Sequence, residues 1–413
     1  MVLSVQNAPE TLNRKPLDRD ISTQAANTKS SSSDIIDIPV AWPRLPAMEY
    51  IAPYLHQIDA NRWYSNQGPL CEAFQERLGR FWGMAYDNIA LVANATTGLT
   101  LALRAQALRP GSRCLMPSWT FVASAAAVAA ADLVPHFVDV DPDTWIPDPD
   151  TIEDLARSPD VGAILIVVPF GSPIDLAVWD AVSQRTGCPV IIDAAAAFDT
   201  LRSDGPMRIG KSTVVVSLHA TKVFGIGEGG AVISRDPVLA EHIRILARFG
   251  FSGSRSAQYP GINAKISEYT AAVGLAGLDV WAETRSHWDA LTRLYLGLLP
   301  ASVRLPPAFG RNWVASTLAI ICPEKSQPVA ETLARRGIGT VSWWGSGCHT
   351  QPAYAGYPRE HLPTTQQYGY RGIGLPFYQD MTEEQVTRVC TTLLDVLPAE
   401  SDVPRPLKSC NFS

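Results

Sequence analysis

Lys222 stands in the segment Ser217-Leu218-His219-Ala220-Thr221-Lys222-Val223-Phe224-Gly225-Ile226-Gly227-Glu228-Gly229-Gly230. The segment follows the strand-like run TVVVS, and Ser, His and glycines frame the lysine. An amine in such a place is set up as a nucleophile, because burial or a neighbouring cation lowers its pKa and frees the lone pair. An exposed lysine is the common role of this residue type, but it accounts poorly for the surrounding residues. His219 reads either as a pocket-lining group or as a hydrogen-bonded structural histidine. The same segment contains GIGEGG, which matches G-x-G-x-x-G. To hold a dinucleotide, that pattern must follow a strand and open a helix. Here the strand pattern GAVIS comes next, so a nicotinamide or flavin site is rejected.

Three other strand ends carry residues suited to the same kind of site. Asp193 closes the apolar run PVIID. A carboxylate there needs a partner, since an unpaired buried charge is expensive. A protonated ring nitrogen would serve, and so would a nearby arginine or the start of the next helix. Ala95-Thr96-Thr97-Gly98 lies between a strand and a helical pattern. Small residues let an anion approach the backbone, where a helix N-terminus offers free N–H groups. Helix capping by threonine is the plainer account of the same residues. Pro117-Ser118-Trp119-Thr120-Phe121 places aromatics where a strand ends, either to stack on a planar ring or to fill a core.

These residues need a scaffold that brings strand ends together. NIALVAN, SRCLMPS, LVPHFVDVD, GAILIVV, PVIIDA, TVVVSLHA and GAVIS read as strands. LTLALRAQAL, TFVASAAAVAAA and DLAVWDAVSQRTG read as helices between them, with ATTG as a turn before the first. Such alternation predicts an α/β fold, with a mostly parallel central sheet flanked by helices on both faces. Ligands of such sheets sit beyond the carboxyl ends of the strands. After about Leu278 the pattern changes to a long helical stretch, DVWAETRSHWDALTRLYLGLL, and a mixed region ending in TEEQVTRVCTTLLDVL. This reads as a smaller C-terminal α+β domain. The expected division is a polar tail at 1–37, a large domain with an N-terminal arm at 38–283, a small domain at 284–400 and a tail at 401–413. The Ser-, Thr- and Asn-rich residues before Ile38 bury too little to offset their ordering entropy.

Composition excludes several classes. The 413 residues carry a net charge of −6, without the basic footprint of a nucleic-acid binder. The seven cysteines are scattered, with no CxxC pair and no zinc spacing, so no metal site is expected. No run is long and apolar enough to span a bilayer, and the start has no signal-peptide pattern. A reduced cytoplasmic protein is expected.

Taken in order from about Ile38 to Leu397, these segments resemble the DegT/DnrJ/StrS sugar aminotransferases, pyridoxal-phosphate enzymes of fold type I. SLHATKVFGIGEGGAVIS is similar to the family's Ser-x-His-x-x-Lys followed by Gly-Gly-Ala. The resemblance puts Lys222 on the Schiff-base lysine and Ser217 on a phosphate contact. It puts Ala95 and Thr96 in the phosphate turn, Phe121 against the pyridine ring and Asp193 on the pyridine nitrogen. In PGINAKISEYTAAVGLAGLD, Asn263 falls on a residue that reaches the phosphate from the other subunit, which implies a homodimer with shared sites. Lys265 becomes a candidate for a substrate phosphate, and Tyr64 and Asn66 border the family's sugar site. The wording of HATKVF and GINAK is nearest to members that aminate C4 of nucleotide-linked 4-keto-6-deoxy sugars.

The implied activity is therefore transamination from an amino acid, glutamate in most of the family, to a keto-deoxy nucleotide sugar, by ping-pong kinetics. The alternatives are a sugar dehydratase or other lyase of the same fold, and a non-catalytic paralogue with a regulatory or scaffold role. Sugar dehydratase relatives typically carry His in place of the Schiff-base lysine, so Lys222 favours transamination. Four departures from the family pattern stand out, one being Ile192, before the aspartate, where many members carry an acidic or aromatic residue. Ala196 replaces the His or Gln three residues after the aspartate. Ala95 replaces a glycine. Ser342 replaces an arginine before Trp343-Trp344.

Overall fold

Seven strands build one sheet: β1 (Ile89–Val92), β2 (Arg113–Pro117), β3 (Val134–Val138), β4 (Val161–Val167), β5 (Val190–Asp193), β6 (Thr213–Ser217) and β7 (Gly230–Ile233). Their spatial order is β1-β7-β6-β5-β4-β2-β3 in this computed structural model, which describes residues 36–397. Strand β7 runs antiparallel to both its neighbours, and every other pairing is parallel. All seven strands coincide with the runs read from the sequence. The expected tails, 1–37 and 401–413, lie outside the described residues except for Ile36 and Asp37.

Helices cover both faces, as a parallel sheet requires. They are α1 (Met48–Asn61), α2 (Pro69–Trp82), α3 (Ala95–Arg104), α4 (Val122–Ala130), α5 (Pro149–Ala156), α6 (Leu176–Thr186), α7 (Pro237–Leu246) and α8 (Glu268–Asp279). Side chains alternate across the strands. In β6, Val214 and Val216 join one buried core, and Val215 joins the other. Both faces of a central strand are therefore dry, which is why these strands read as unbroken apolar runs.

The chain continues through α9 (Trp281–Leu298), β8 (Leu318–Ile321), α10 (Ser326–Arg335), α11 (Pro363–Arg371), β9 (Gly372–Leu375) and α12 (Glu383–Val396), with β8 and β9 antiparallel. Helix α9 is continuous across residues 283 and 284, where the sequence placed a boundary. Thr382 and Gln385 close a capping box at the start of α12. The N-terminal segment touches distant parts of the chain. Ile38 bridges Ile338, Val40 O accepts the Phe377 N–H at 3.1 Å, and α1 packs on α8.

Candidate active site

The sheet register brings the chemical residues to one level. Gly230 pairs with Val92 of β1 on one side and with Ser217 of β6 on the other. Asp193 pairs with Val167 of β4 and Val215 of β6. The carboxyl ends of β1, β4, β5 and β6 thus form one rim.

On this rim the sequence reading of a turn at Ala95–Gly98 is corrected. Helix α3 begins at Ala95, and its cap is Asn94 rather than a threonine. Asn94 Oδ1 accepts the Thr97 N–H at 2.8 Å and the Thr97 hydroxyl at 2.9 Å. The spacing of Asn94 to Thr97, N-cap to third helical residue, carries this signal. The N–H groups of Ala95 and Thr96 have no protein partner among the described residues. They lie at the positive end of a ten-residue helix, a setting that binds phosphate. Gly230 makes the setting possible. A Cβ there would sit 2.9 Å from both Ala95 N and Asn94 C. Asn94→Ala is expected to cost about 1 kcal/mol of stability. The loss should appear as a lower melting temperature of cofactor-free protein, together with weaker phosphate binding. An unchanged melting temperature would show that Asn94 does not hold this turn.

Asp193 is buried and has no ion-pair partner among the described residues. Its contacts are the Ser124 hydroxyl, which donates to Oδ2 at 2.7 Å, and the Ala195 N–H, which donates to Oδ1 at 3.2 Å. Burial pushes its carboxyl up from the ordinary value, and these two bonds and the charge of Lys222 oppose the shift. Burial pushes the half-buried Lys222 amine down, and Asp193 opposes that shift. An arginine partner for Asp193, one of the readings of the sequence, is not what the structure provides. Ser124 was missed. It lies in the first turn of α4, 69 residues from the carboxylate it holds, and Thr120 Oγ1 lies 3.0 Å from its hydroxyl.

The loop that carries Lys222 is closed on itself. Ala220 N–H donates to Gly227 O at 2.8 Å, Lys222 N–H to His219 O at 2.9 Å, and Ile226 N–H to Leu218 O at 2.8 Å. Gly225 is needed for this closure, since a Cβ there would lie 2.7 Å from Ala220 O. Ser217 Oγ accepts the His219 N–H at 3.2 Å. His219 is tied within the loop, with Nδ1 2.9 Å from Thr221 Oγ1 and Nε2 3.7 Å from Glu228. Phe121, just before α4, is 57% exposed, whereas neighbouring Trp119 is buried. Of the two aromatics, Phe121 alone presents a free ring face.

The segment that carries Asn263 and Lys265 meets the rim through Ala264 O, which accepts the Ala93 N–H at 2.7 Å just after β1. Asn263 is exposed, and its Oδ1 accepts a hydrogen bond from Lys265, whose ammonium lies 4.6 Å from the Phe249 ring centre. Tyr64 stacks on Tyr269 at 6.3 Å, with both rings about half exposed. Asn66 is exposed, with φ of 65°. Among the described residues these side chains make no hydrogen bond or ion pair to Asp193 or Lys222. No group of His, Cys, Asp or Glu among the described residues is placed to hold a metal ion.

These features fit a phosphorylated heteroaromatic aldehyde. The helix N-terminus and Ser217 suit its phosphate, and unpaired Asp193 suits a protonated ring nitrogen. Exposed Phe121 suits the ring face, and Lys222 suits the aldehyde carbon. Comparison with known proteins agrees. Residues 47–394 match the DegT/DnrJ/EryC1/StrS aminotransferase family. The chain is 30% identical over 368 residues to the dTDP-4-amino-4,6-dideoxy-D-glucose transaminase of Escherichia coli, covering 86% of this chain and 98% of that one. It is 30% identical over 362 residues to the dTDP-3-amino-3,4,6-trideoxy-alpha-D-glucose transaminase of Streptomyces venezuelae, covering 86% and 93%. The crystal structure of DesI with its TDP-sugar product superposes with a TM-score of 0.77 at 30% identity, covering 86% of this chain and 92% of that chain. The chain belongs to the DegT/DnrJ/EryC1/StrS aminotransferase family, and it is a transaminase whose cofactor is pyridoxal phosphate.

Proposed function

We propose that this transaminase moves an amino group from an amino acid, glutamate in the first instance, to a nucleotide-linked keto-deoxy sugar. The observation that carries the reading is a buried Asp193 that feels the charge of Lys222 but has no ion pair within 4 Å among the described residues, its carboxylate held by Ser124 and the Ala195 N–H. The transaminase names of the 30%-identical relatives support the sugar acceptor.

In this reading the Ala95 and Thr96 N–H groups and Ser217 hold the cofactor phosphate. Asn263 completes that shell from a second copy of the chain, so the working unit is a homodimer. The exposed placement of Asn263 and of Trp42 and Met48 in the N-terminal arm supports this. Phe121 covers one ring face, and Asp193 keeps the ring nitrogen protonated. Pyridoxal phosphate, when bound, supplies the electron sink for charge released at the donor's Cα. Lys222 moves the proton to and from that Cα, a task for which a lowered amine pKa is suited. His219, Lys265, Tyr64 and Asn66 are proposed as sugar-nucleotide contacts. The same reading places the enzyme in the cytoplasm, with a division near residue 284 between a cofactor-binding part and a C-terminal part.

Incubation with glutamate and a panel of keto-deoxy nucleotide sugars tests the reading. Formation of 2-oxoglutarate and an amino sugar is expected, with mass and NMR of the product distinguishing C3 from C4 amination. No transfer to any sugar in the panel would sink the sugar reading.

Ala196 is half-buried and offers only a methyl group beside the cofactor. Ala196→His is expected to tighten cofactor binding about fivefold, roughly the yield of one added hydrogen bond. Equilibrium dialysis against pyridoxal phosphate measures this. Unchanged or weaker affinity would mean that another group already fills the position.

A further inference from the structure

The reading above rests on Lys222 and Asp193 acting on one ring, yet Lys222 sits in the loop after β6 and Asp193 ends β5, ahead of a separate loop. We infer that one stripe of helix α9, Trp281, Arg285 and Trp288, positions the Lys222 loop relative to the Asp193 loop.

The three residues are spaced four and three apart and so share a helix face. Trp288 Nε1 donates to the carbonyl of Val223, the residue after Lys222, at 3.2 Å within the core. Arg285 Nε donates to Asp199 Oδ1 at 2.8 Å. Asp199 lies six residues beyond Asp193 and is fully buried. Its Oδ2 also accepts Arg202 Nη1 and Val314 N–H, each at 3.0 Å. Trp281 meets both loops edge-on, with its ring centre 5.0 Å from that of Phe198 and 5.8 Å from that of Phe224. Those two phenylalanines, one from each loop, stack at 4.3 Å and 4°.

Apolar packing alone would hold the loops near each other without fixing their register. The two hydrogen bonds are directional: one ends on the residue after Lys222, the other on the buried Asp199 in the loop that follows Asp193. Removing the Trp288 donor leaves Val223 O buried without a partner, so the loop must shift to find one. A displacement of the reacting amine lowers the rate far more than it lowers donor affinity. Trp288 and Arg285 are therefore positioning residues.

The test compares Trp288→Phe, Arg285→Lys and Tyr295→Phe in the full chain loaded with pyridoxal phosphate. Trp288→Phe keeps a ring against Phe377 but loses the N–H. Arg285→Lys keeps the charge on Asp199 and guards against a Trp288 variant that fails to fold. Tyr295 lies on the same helix and donates an equally buried bond to Pro376 O at 2.5 Å, but it touches neither loop. The readouts are the pH midpoint of the bound cofactor's absorbance, the melting temperature, and kcat and KM for glutamate in the donor half-reaction. Trp288→Phe and Arg285→Lys should each move the absorbance midpoint and lower kcat about tenfold with KM held. Tyr295→Phe should lower the melting temperature comparably and leave the midpoint in place. A midpoint unmoved in the first two variants, or moved equally by Tyr295→Phe, overturns the inference. A cofactor spectrum that is unaffected by Lys222→Ala would overturn the underlying assignment of the lysine instead, and the inference with it.

Discussion

Lys222→Ala is expected to lower transamination by at least about 10⁴-fold, the upper range for losing a positioned acid–base group, because the covalent anchor is lost as well. Among the described residues, Lys222 is the one amine whose charge acts on Asp193. Asp193 is acidic, Ser217 and Ser124 are hydroxyls, and the Lys265 ammonium is held by Asn263 Oδ1 over the Phe249 ring. A replacement base is therefore not available from the protein. The fold should persist. Lys222 makes no ion pair within 4 Å, and its loop is closed by the backbone bonds of Ala220, Lys222 and Ile226 rather than by its ammonium. The variant should bind pyridoxal phosphate through α3 and Ser217 but show the absorbance of the free aldehyde. Steady-state turnover, the absorbance spectrum and gel filtration together check these outcomes. Turnover within tenfold of the unaltered protein would refute the role of Lys222.

The residues that were legible in the sequence share a property: each ends or follows an apolar strand. A buried strand leaves a local signature in consecutive residues, and its end marks the rim where ligands bind. Lys222, Asp193, Ser217 and Thr96 become candidates in this way, and the strand GAVIS dismisses the decoy GIGEGG. What the sequence did not show depends on contacts between distant segments. Ser124 holds Asp193 across 69 residues, and Trp288 holds Val223 across 65. Neither spacing leaves a periodic trace. Gly230 is a further example. Its need follows from the approach of Ala95 N, which exists only once β7 lies beside β1. The turn at Ala95–Gly98 was misread for a different reason. Asn94, Thr96 and Thr97 are all capping residue types within four positions, and only the folded geometry selects Asn94 as the acceptor. Asn263, Tyr64, Asn66 and Lys265 were singled out by resemblance alone. Asn263, Asn66 and Tyr64 are exposed and Lys265 is half-buried, so no packing signal in the sequence marks them.

Asp193→Asn is expected to lower the rate of proton removal from the donor by roughly 10²- to 10⁴-fold while leaving the protein folded. The amide has nearly the same shape, and its oxygen can still accept the Ser124 hydroxyl that now bonds to Oδ2 at 2.7 Å. The change is mainly one of charge, together with loss of the acceptor that now takes the Ala195 N–H at 3.2 Å. A neutral amide cannot hold a ring nitrogen in its protonated form, and an unprotonated ring is a poor sink for the electrons released at Cα. The loss should therefore fall on kcat in the donor half-reaction, with a primary deuterium isotope effect on the donor's Cα–H larger than in the unaltered enzyme. A second consequence follows in cofactor-free protein. The Asp193 charge favours the ammonium form of Lys222, against the burial that disfavours it. Removing that charge lowers the lysine pKa further, because a cation loses its counter-charge in a poorly hydrated site. The fraction of free amine at a given pH rises, so Lys222 should react faster with an amine-selective reagent even as catalysis falls. Slower proton removal combined with a more reactive lysine separates the two functions of Asp193. Equal slowing of both would instead mean that the substitution had displaced the Lys222 loop, and that Asp193 acts through position rather than charge.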